Sequence, residues 1–196
     1  MIEDNNKKCT SIEITSLALD SIKIDNSIND KTTTSTSTLP KKNVMFLCTG
    51  NSCRSHMAQG WAWYYHHQTL NLTAYSSGTS PVPGNPGKIN PYAIKAMMEF
   101  GIDISKHCSK NVLDLADVDL DLVITVCDDA ADNCPIFQRK GNKKTLVVHH
   151  SFDDPPRLVG SNTEVSLEEE EEMMITYRRV CEEIRVFIRD ELPQFL

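Results

Sequence analysis

The stretch that decides the fold is Cys48-Thr49-Gly50-Asn51-Ser52-Cys53-Arg54-Ser55. It follows an apolar run at residues 44–47 and precedes a segment with helical spacing, which places it at a strand-to-helix turn. Backbone N–H groups at such a turn can converge on one tetrahedral anion, and the planar fork of an arginine matches two anion oxygens. We therefore predict an oxyanion-binding loop with a built-in nucleophile, Cys48. The predicted anion-binding residues are Thr49, Gly50, Asn51, Ser52, Cys53, Arg54 and Ser55.

The chemistry of this loop depends on the state of its first cysteine. The positive field of the loop is expected to lower the pKa of Cys48 and to hold it as the reactive thiolate. Gly50 and Asn51 are residue types that tolerate the unusual backbone angles of a tight loop. The hydroxyl of Ser55 can donate to Cys48 or cap the following helix, and the two roles are compatible.

Size and charge narrow the class of protein. The chain has 196 residues, enough for one α/β domain with a core, and its net charge of −7 disfavours nonspecific nucleic-acid binding. No apolar run approaches the roughly 20 residues that span a bilayer, and the first residues do not resemble a signal or transit peptide. We expect a cytoplasmic monomer with no membrane or nucleic-acid partner.

The chain divides into an extension and a domain. Residues 1–41 include a Thr/Ser-rich run that cannot bury enough apolar area to order itself, so this extension is predicted to be disordered. In the domain, residues 42–196, predicted strands alternate with predicted helices. This alternation indicates an α/β fold with a central four-stranded parallel sheet and helices on both faces. The predicted strands are 44–47, 73–76, 120–126 and 144–148, and the predicted helices are 55–68, 91–100, 111–116 and 167–192.

A pair of aspartates follows the fourth predicted strand, in the segment Asp153-Asp154-Pro155-Pro156. Attack on an oxyanion needs an acid that protonates the departing oxygen, and catalytic loops of such sheets lie at the carboxyl ends of the strands. Asp154 is the preferred candidate for this acid and Asp153 is the alternative. A plain polar turn would also explain the Asp-Pro sequence.

Two cysteines enclose a polar segment directly after the third predicted strand. Cys127 is expected at the same sheet edge as Cys48, and the polar segment predicts that Cys127 and Cys134 are accessible. If the segment is helical, residues seven apart are separated by about 10 Å of rise, whereas a disulfide needs Cα atoms within about 4.4–6.8 Å. The pattern therefore favours a redox switch coupled to local unfolding. Two ordinary buried cysteines remain an alternative, and a zinc site lacks a second pair of ligands.

Together these motifs resemble the thioredoxin-coupled arsenate reductases, which share the low-molecular-weight tyrosine phosphatase fold. The resemblance covers about residues 43 to 192. It extends beyond the three motifs to further short matches, which are Met57-Ala58, Tyr75-Ser76, Asn90-Pro91, Lys95-Ala96-Met97 and Gly101-Ile102-Asp103-Ile104-Ser105.

The resemblance implies a mechanism in which three thiols act in turn. Cys48 attacks arsenate held by the loop and Arg54, and Asp154 protonates the departing hydroxyl. Cys127 then attacks Cys48 and arsenite leaves, after which Cys134 attacks Cys127. The resulting disulfide is reduced by thioredoxin as an external reductant, with no bound cofactor and no metal.

One departure from the family concerns a potassium ion that many members bind beside the anion loop. Asn51 and Ser76 match the potassium ligands of the family, but Gln59 and Lys110 stand where carboxylates would be. Our hypothesis is that the Lys110 ammonium replaces the ion and supports Asn51.

Two other functions remain open. A low-molecular-weight protein tyrosine phosphatase would use Cys48, Arg54 and Asp154 on phosphotyrosine, but would not need Cys127 and Cys134. Such phosphatases usually carry aromatic residues after the Asp-Pro, where this chain has Pro156 and Arg157. The second alternative is a non-catalytic oxyanion sensor. The intact set of nucleophile, arginine and acid argues against this hypothesis.

Overall fold

A computed structural model describes five ranges of the chain, which are 40–67, 69–80, 88–137, 144–159 and 166–196. The predicted extension lies outside the described residues up to position 39, so its disorder stays a prediction. Among the described residues, no helix is both long enough and apolar enough to cross a bilayer.

Four strands form one parallel sheet with the order β2-β1-β3-β4. They are β1 (Lys42–Cys48), β2 (Leu72–Gly78), β3 (Leu122–Thr125) and β4 (Leu146–His149). The apolar run of β1 is fully buried between its two neighbours, as expected for a central strand. Leu47 pairs with Thr125 in the register of β1 and β3, so the chain leaves both strands at the same level. The segments that follow β1 and β3 therefore lie side by side at the carboxyl edge of the sheet.

Within the described ranges, five α-helices connect and cover the sheet. They are α1 (Arg54–His66), α2 (Pro91–Met98), α3 (Asp128–Asp132), α4 (Pro155–Val159) and α5 (Leu167–Asp190), with 3₁₀ turns at Val112–Leu115 and Leu192–Phe195. The expected α/β fold, a four-stranded parallel sheet with helices packed against it, is confirmed. Helix α4 differs from the sequence prediction, which favours a catalytic loop or a polar turn at the Asp-Pro segment, although proline is favoured in the first turn of a helix.

Helices α1 and α5 carry the largest part of the apolar packing. Helix α1 packs on β1, β2 and α5, and buries Trp61 completely between them. Helix α5 buries one stripe, which runs from Met174 to Ile188, and begins with a capping box between Ser166 and Glu169. This packing fixes the first turn of α1 against the end of β1, which is where the anion loop lies.

Candidate active site

The loop between β1 and α1 surrounds the sulfur of Cys48 with hydrogen-bond donors. The backbone N–H of Asn51 donates to Sγ at 3.1 Å, and Oγ of Ser55 lies 3.0 Å from the same sulfur. The side-chain amide of Asn51 donates to the Ser55 oxygen at 2.9 Å, which leaves the Ser55 hydroxyl proton for Cys48. Both contacts favour the thiolate over the thiol.

Asn51 is the residue that bends the loop. It is fully buried and has a φ of 45°, a left-handed conformation that asparagine tolerates better than most residues. Its Oδ1 accepts the backbone N–H of Lys110 at 2.7 Å, and its carbonyl oxygen accepts from Nε2 of His56 at 3.0 Å. The expectation that Asn51 takes an unusual backbone angle is confirmed.

Gly78, at the end of β2, closes the loop from the other side. A Cβ at this position would lie 2.6 Å from the carbonyl oxygen of Thr49 and 3.0 Å from the Cβ of Asn51. Real Cβ atoms do not approach a backbone oxygen so closely, so only glycine lets β2 lie against the loop.

The expected lowering of the Cys48 pKa is wrong in sign. Burial raises the pKa of Cys48, and this outweighs the opposing effects of Ser55, the Asn51 amide and Arg54, while an ionised Cys127 raises it further. The sequence shows the donors of the loop but not the depth at which the sulfur is buried. Burial also raises the pKa of Cys53, whose side chain lines the same cavity.

The two aspartates after β4 have different partners. Oδ1 of Asp154 lies 3.2 Å from the Arg54 guanidinium, which also donates to the carbonyl of Phe152 at 2.9 Å. Asp153 instead pairs with Arg179 of α5 at 2.8 Å. Only Asp154 of the two lines the cavity above the loop, so the geometry favours the preferred candidate for the acid.

The cavity above the loop has a volume of about 340 Å³. Beside residues of the loop it is lined by Ser80, Asp129, Asp154, Pro156 and Arg157. No aromatic side chain is among its described lining residues. Asp129 and Arg157 were not predicted as site residues. The signal that could indicate them is their position at the same sheet edge, two residues after Cys127 and directly after the Asp-Asp-Pro-Pro segment.

The second cysteine lies beside the loop. Sγ of Cys127 is 3.4 Å from Oγ1 of Thr49, the residue next to Cys48, and Cys127 is buried. The prediction that Cys127 is accessible is therefore wrong. The reason is that Val126 donates its N–H to the carbonyl of Leu47, which keeps the end of β3 inside the sheet.

The third cysteine is separated from the second by α3. Cys134 is partly buried, and the five residues of α3 lie between it and Cys127. The helix is closed by hydrogen bonds from Ala131 to the Cys127 carbonyl and from both amides of Asn133 to the Asp129 carbonyl. A helical segment of this length holds the two thiols too far apart for a disulfide.

A buried pair of histidines lies behind the loop, and no sequence pattern predicts it. Nδ1 of His56 is 3.2 Å from Nδ1 of His107, and Ser76 bonds both His56 and Gln59. Because Nε2 of His56 donates to a carbonyl, its Nδ1 accepts from His107 when both rings are neutral. Burial lowers the pKa of both rings, that of His107 to about 4.

Lys110 supports Asn51 in a different way from our hypothesis. Its backbone N–H bonds the Asn51 side chain, whereas its ammonium donates to the carbonyl of Cys108 at 3.1 Å. Burial lowers the pKa of this ammonium. In the described ranges, no group of three or more histidine, cysteine, aspartate or glutamate side chains is arranged to hold a metal ion.

Comparison with known proteins identifies relatives of the whole domain. Residues 43–190 match the family of low molecular weight phosphotyrosine protein phosphatases. An arsenate reductase of Bacillus licheniformis is 41% identical over 150 residues, which cover 74% of this chain and 91% of that protein.

Solved structures with the same fold include both kinds of enzyme. An arsenate reductase of Archaeoglobus fulgidus superposes with a TM-score of 0.54 at 21% identity, covering 76% of this chain and 98% of that one. A low molecular weight protein tyrosine phosphatase of T. tengcongensis gives a TM-score of 0.53 at 25% identity, covering 80% and 100%. The fold is therefore shared by the two activities and does not separate them.

Proposed function

The chain belongs to the low molecular weight phosphotyrosine protein phosphatase family, and we propose that within this family it is an arsenate reductase that works through three cysteines. The observation that carries the proposal is the position of Cys127, whose sulfur lies against Thr49 at the rim of the anion loop. A phosphatase needs no second thiol there. The curated relative at 41% identity, named as an arsenate reductase, supports the same reading.

The first step joins Cys48 to arsenic. The sulfur attacks the arsenic of arsenate, an As–S bond forms, and one As–O bond breaks with its electron pair leaving on oxygen. Asp154 in its acid form protonates this hydroxyl, which departs as water. A neutral thiol avoids repulsion with the incoming dianion, and its proton passes to a remaining arsenate oxygen as the sulfur attacks.

The second step is the reduction. The thiolate of Cys127 attacks Sγ of Cys48, an S–S bond forms and the S–As bond breaks. The bonding pair stays on arsenic, which changes from As(V) to As(III) and leaves as arsenite. The two sulfurs together lose the two electrons that arsenic gains, and they end as a disulfide.

The third step moves the disulfide away from the loop. The thiolate of Cys134 attacks Sγ of Cys127, a Cys127–Cys134 bond forms and the Cys48 thiolate is released. This step requires α3 to open, because its helical geometry holds the two thiols apart. A dithiol reductant of the thioredoxin class then reduces the Cys127–Cys134 disulfide and restores the enzyme.

The test is arsenate turnover with thioredoxin, thioredoxin reductase and NADPH. We expect turnover in the natural chain, loss of turnover in Cys127→Ser and in Cys134→Ser, and retained weak hydrolysis of an aryl phosphate in both variants. Cys181→Ser is the matched control, since Cys181 is a buried free thiol in α5. Full turnover in the Cys127 and Cys134 variants would contradict the relay, and hydrolysis without arsenate reduction would make the chain a phosphatase.

A further inference from the structure

We infer that Arg157 captures the incoming oxyanion at the mouth of the cavity and sets the affinity for small tetrahedral dianions. The inference deepens the proposed function and rests on it for the identity of the substrate. It concerns binding alone, so it can be tested separately with an anion that is not reduced.

Without Arg157, the described side chains that line the cavity carry no net positive charge that could attract an anion. Among its described lining residues, four side chains are charged, two arginines and two aspartates, which are Arg54, Arg157, Asp129 and Asp154. Arg54 is already paired with Asp154 at 3.2 Å and donates to the carbonyl of Phe152. Asp129 faces the same space, and the whole chain carries a net charge of −7. Without a further cation, a dianion that approaches this cavity meets no net positive charge from its described lining side chains.

Arg157 is free to supply that cation. Its side chain is exposed and makes no ion pair or side-chain hydrogen bond with any described residue. Its backbone N–H donates to the carbonyl of Asp154 at 3.0 Å, within the first turn of α4. The same turn therefore positions both the acid and the guanidinium, which can bind two oxygens of one anion.

The charge of Arg157 favours binding of the substrate over binding of the product. Arsenate enters with negative charge, whereas arsenite is an uncharged acid at neutral pH. An arginine at the mouth therefore strengthens substrate binding without holding the product. Because no described lining residue is aromatic, the cavity offers an aryl phosphate no ring contact to compensate for its larger size.

The experiment measures binding of inorganic phosphate to the full reduced chain by calorimetry at low and high salt. For Arg157→Gln we expect about 5-fold weaker binding at low salt, the upper end for one exposed charge pair, and a smaller difference at high salt. Arg157→Lys keeps the charge and should retain most of the affinity. Asp129→Asn is the matched control of opposite sign and should tighten binding, and the double variant Arg157→Gln/Asp129→Asn should return close to the natural chain.

Arsenate kinetics separate this inference from the proposed function. We expect Arg157→Gln to raise KM with kcat unchanged, since the residue does not touch the reacting sulfur. Equal phosphate affinity of Arg157→Gln and the natural chain at low salt would overturn the inference. Altered phosphate binding without arsenate turnover in any form would leave Arg157 as an anion-binding residue and would overturn the reductase assignment instead.

Discussion

The buried histidine pair predicts that the protein loses stability as the pH falls below the pKa of an ordinary histidine. Burial, with a contribution from Lys110, lowers the pKa of His107 from 6.5 to about 4. Burial and the neighbouring ring lower the pKa of His56 as well. Because the folded pKa lies below the unfolded one, the unfolded chain binds protons first as the pH falls. The contribution is complete above pH 6.5 and is lost progressively down to about pH 4.

The size of the effect follows from the separation of the two pKa values. Each pKa unit corresponds to about 1.4 kcal/mol, so His107 alone removes about 3 kcal/mol of the free energy of unfolding across this range. The side chain of His107 is buried, and solvent does not screen it as it would a surface group. For a domain stabilised by about 5–15 kcal/mol, this is a substantial fraction.

Urea unfolding followed by tryptophan fluorescence measures this loss. The natural chain and His107→Gln are compared at about pH 7 and about pH 4.5, with His67→Gln, which changes a partly exposed histidine, as control. The same carboxylates are present in all three proteins, so the difference between them reports on His107 together with its coupling to Asp103. The natural chain should lose up to about 3 kcal/mol more than His107→Gln. Parallel losses in the two proteins would refute the assignment of a neutral buried pair.

The anion loop and its acid provide three further tests. Gly78→Ala places a Cβ against a loop carbonyl, so it should lower the free energy of unfolding by about 1–3 kcal/mol and weaken phosphate binding. The Cβ of Gly60→Ala meets only side-chain atoms, so this variant should keep its phosphate affinity. Equal effects of the two variants on phosphate binding would contradict this. Ser55→Ala removes a donor that lowers the pKa of the nucleophilic thiol, so the pH profile of its alkylation, followed by mass spectrometry, should shift upward, and an unchanged profile would exclude that role. Asp154→Asn should reduce arsenate turnover by about 10²-fold or more, while Asp153→Asn, which loses an exposed ion pair, should change it little; similar losses in steady-state kinetics would count against the assignment of the acid.

The sequence predicts the parts of the site that follow from chain order. A cysteine directly after a buried strand and another after the neighbouring strand must lie near each other, because parallel strands end at one edge. This reasoning brings Cys48, Cys127 and Asp154 to the same region, and the structure places all three around the loop. The left-handed turn is local, and the loop motif places it at Gly50 or Asn51; the structure has it at Asn51, while Gly50 is not among the described glycines with positive φ.

What the sequence could not show depends on distances across the fold. His56 and His107 are 51 positions apart, and they meet only because the segment before the 3₁₀ turn at Val112–Leu115 packs behind the anion loop. The sign of the Cys48 pKa shift depends on how deeply the sulfur is buried, which competes with donors that the motif does display. The support of Asn51 by Lys110 uses a backbone N–H, and no pattern of side chains reveals such a contact.

The short helix between Cys127 and Cys134 has a consequence for the resting protein. While α3 is folded, its helical geometry keeps the partly buried Cys134 beyond disulfide distance of Cys127. In the proposed relay, a folded α3 therefore keeps this disulfide from forming before an oxyanion has been reduced, so no reductant is consumed in the resting protein. In the proposed relay, a variant with a more stable α3 would resist oxidation of the pair better but would recycle more slowly. The stability of this five-residue helix therefore sets a compromise between resistance to oxidants and turnover rate.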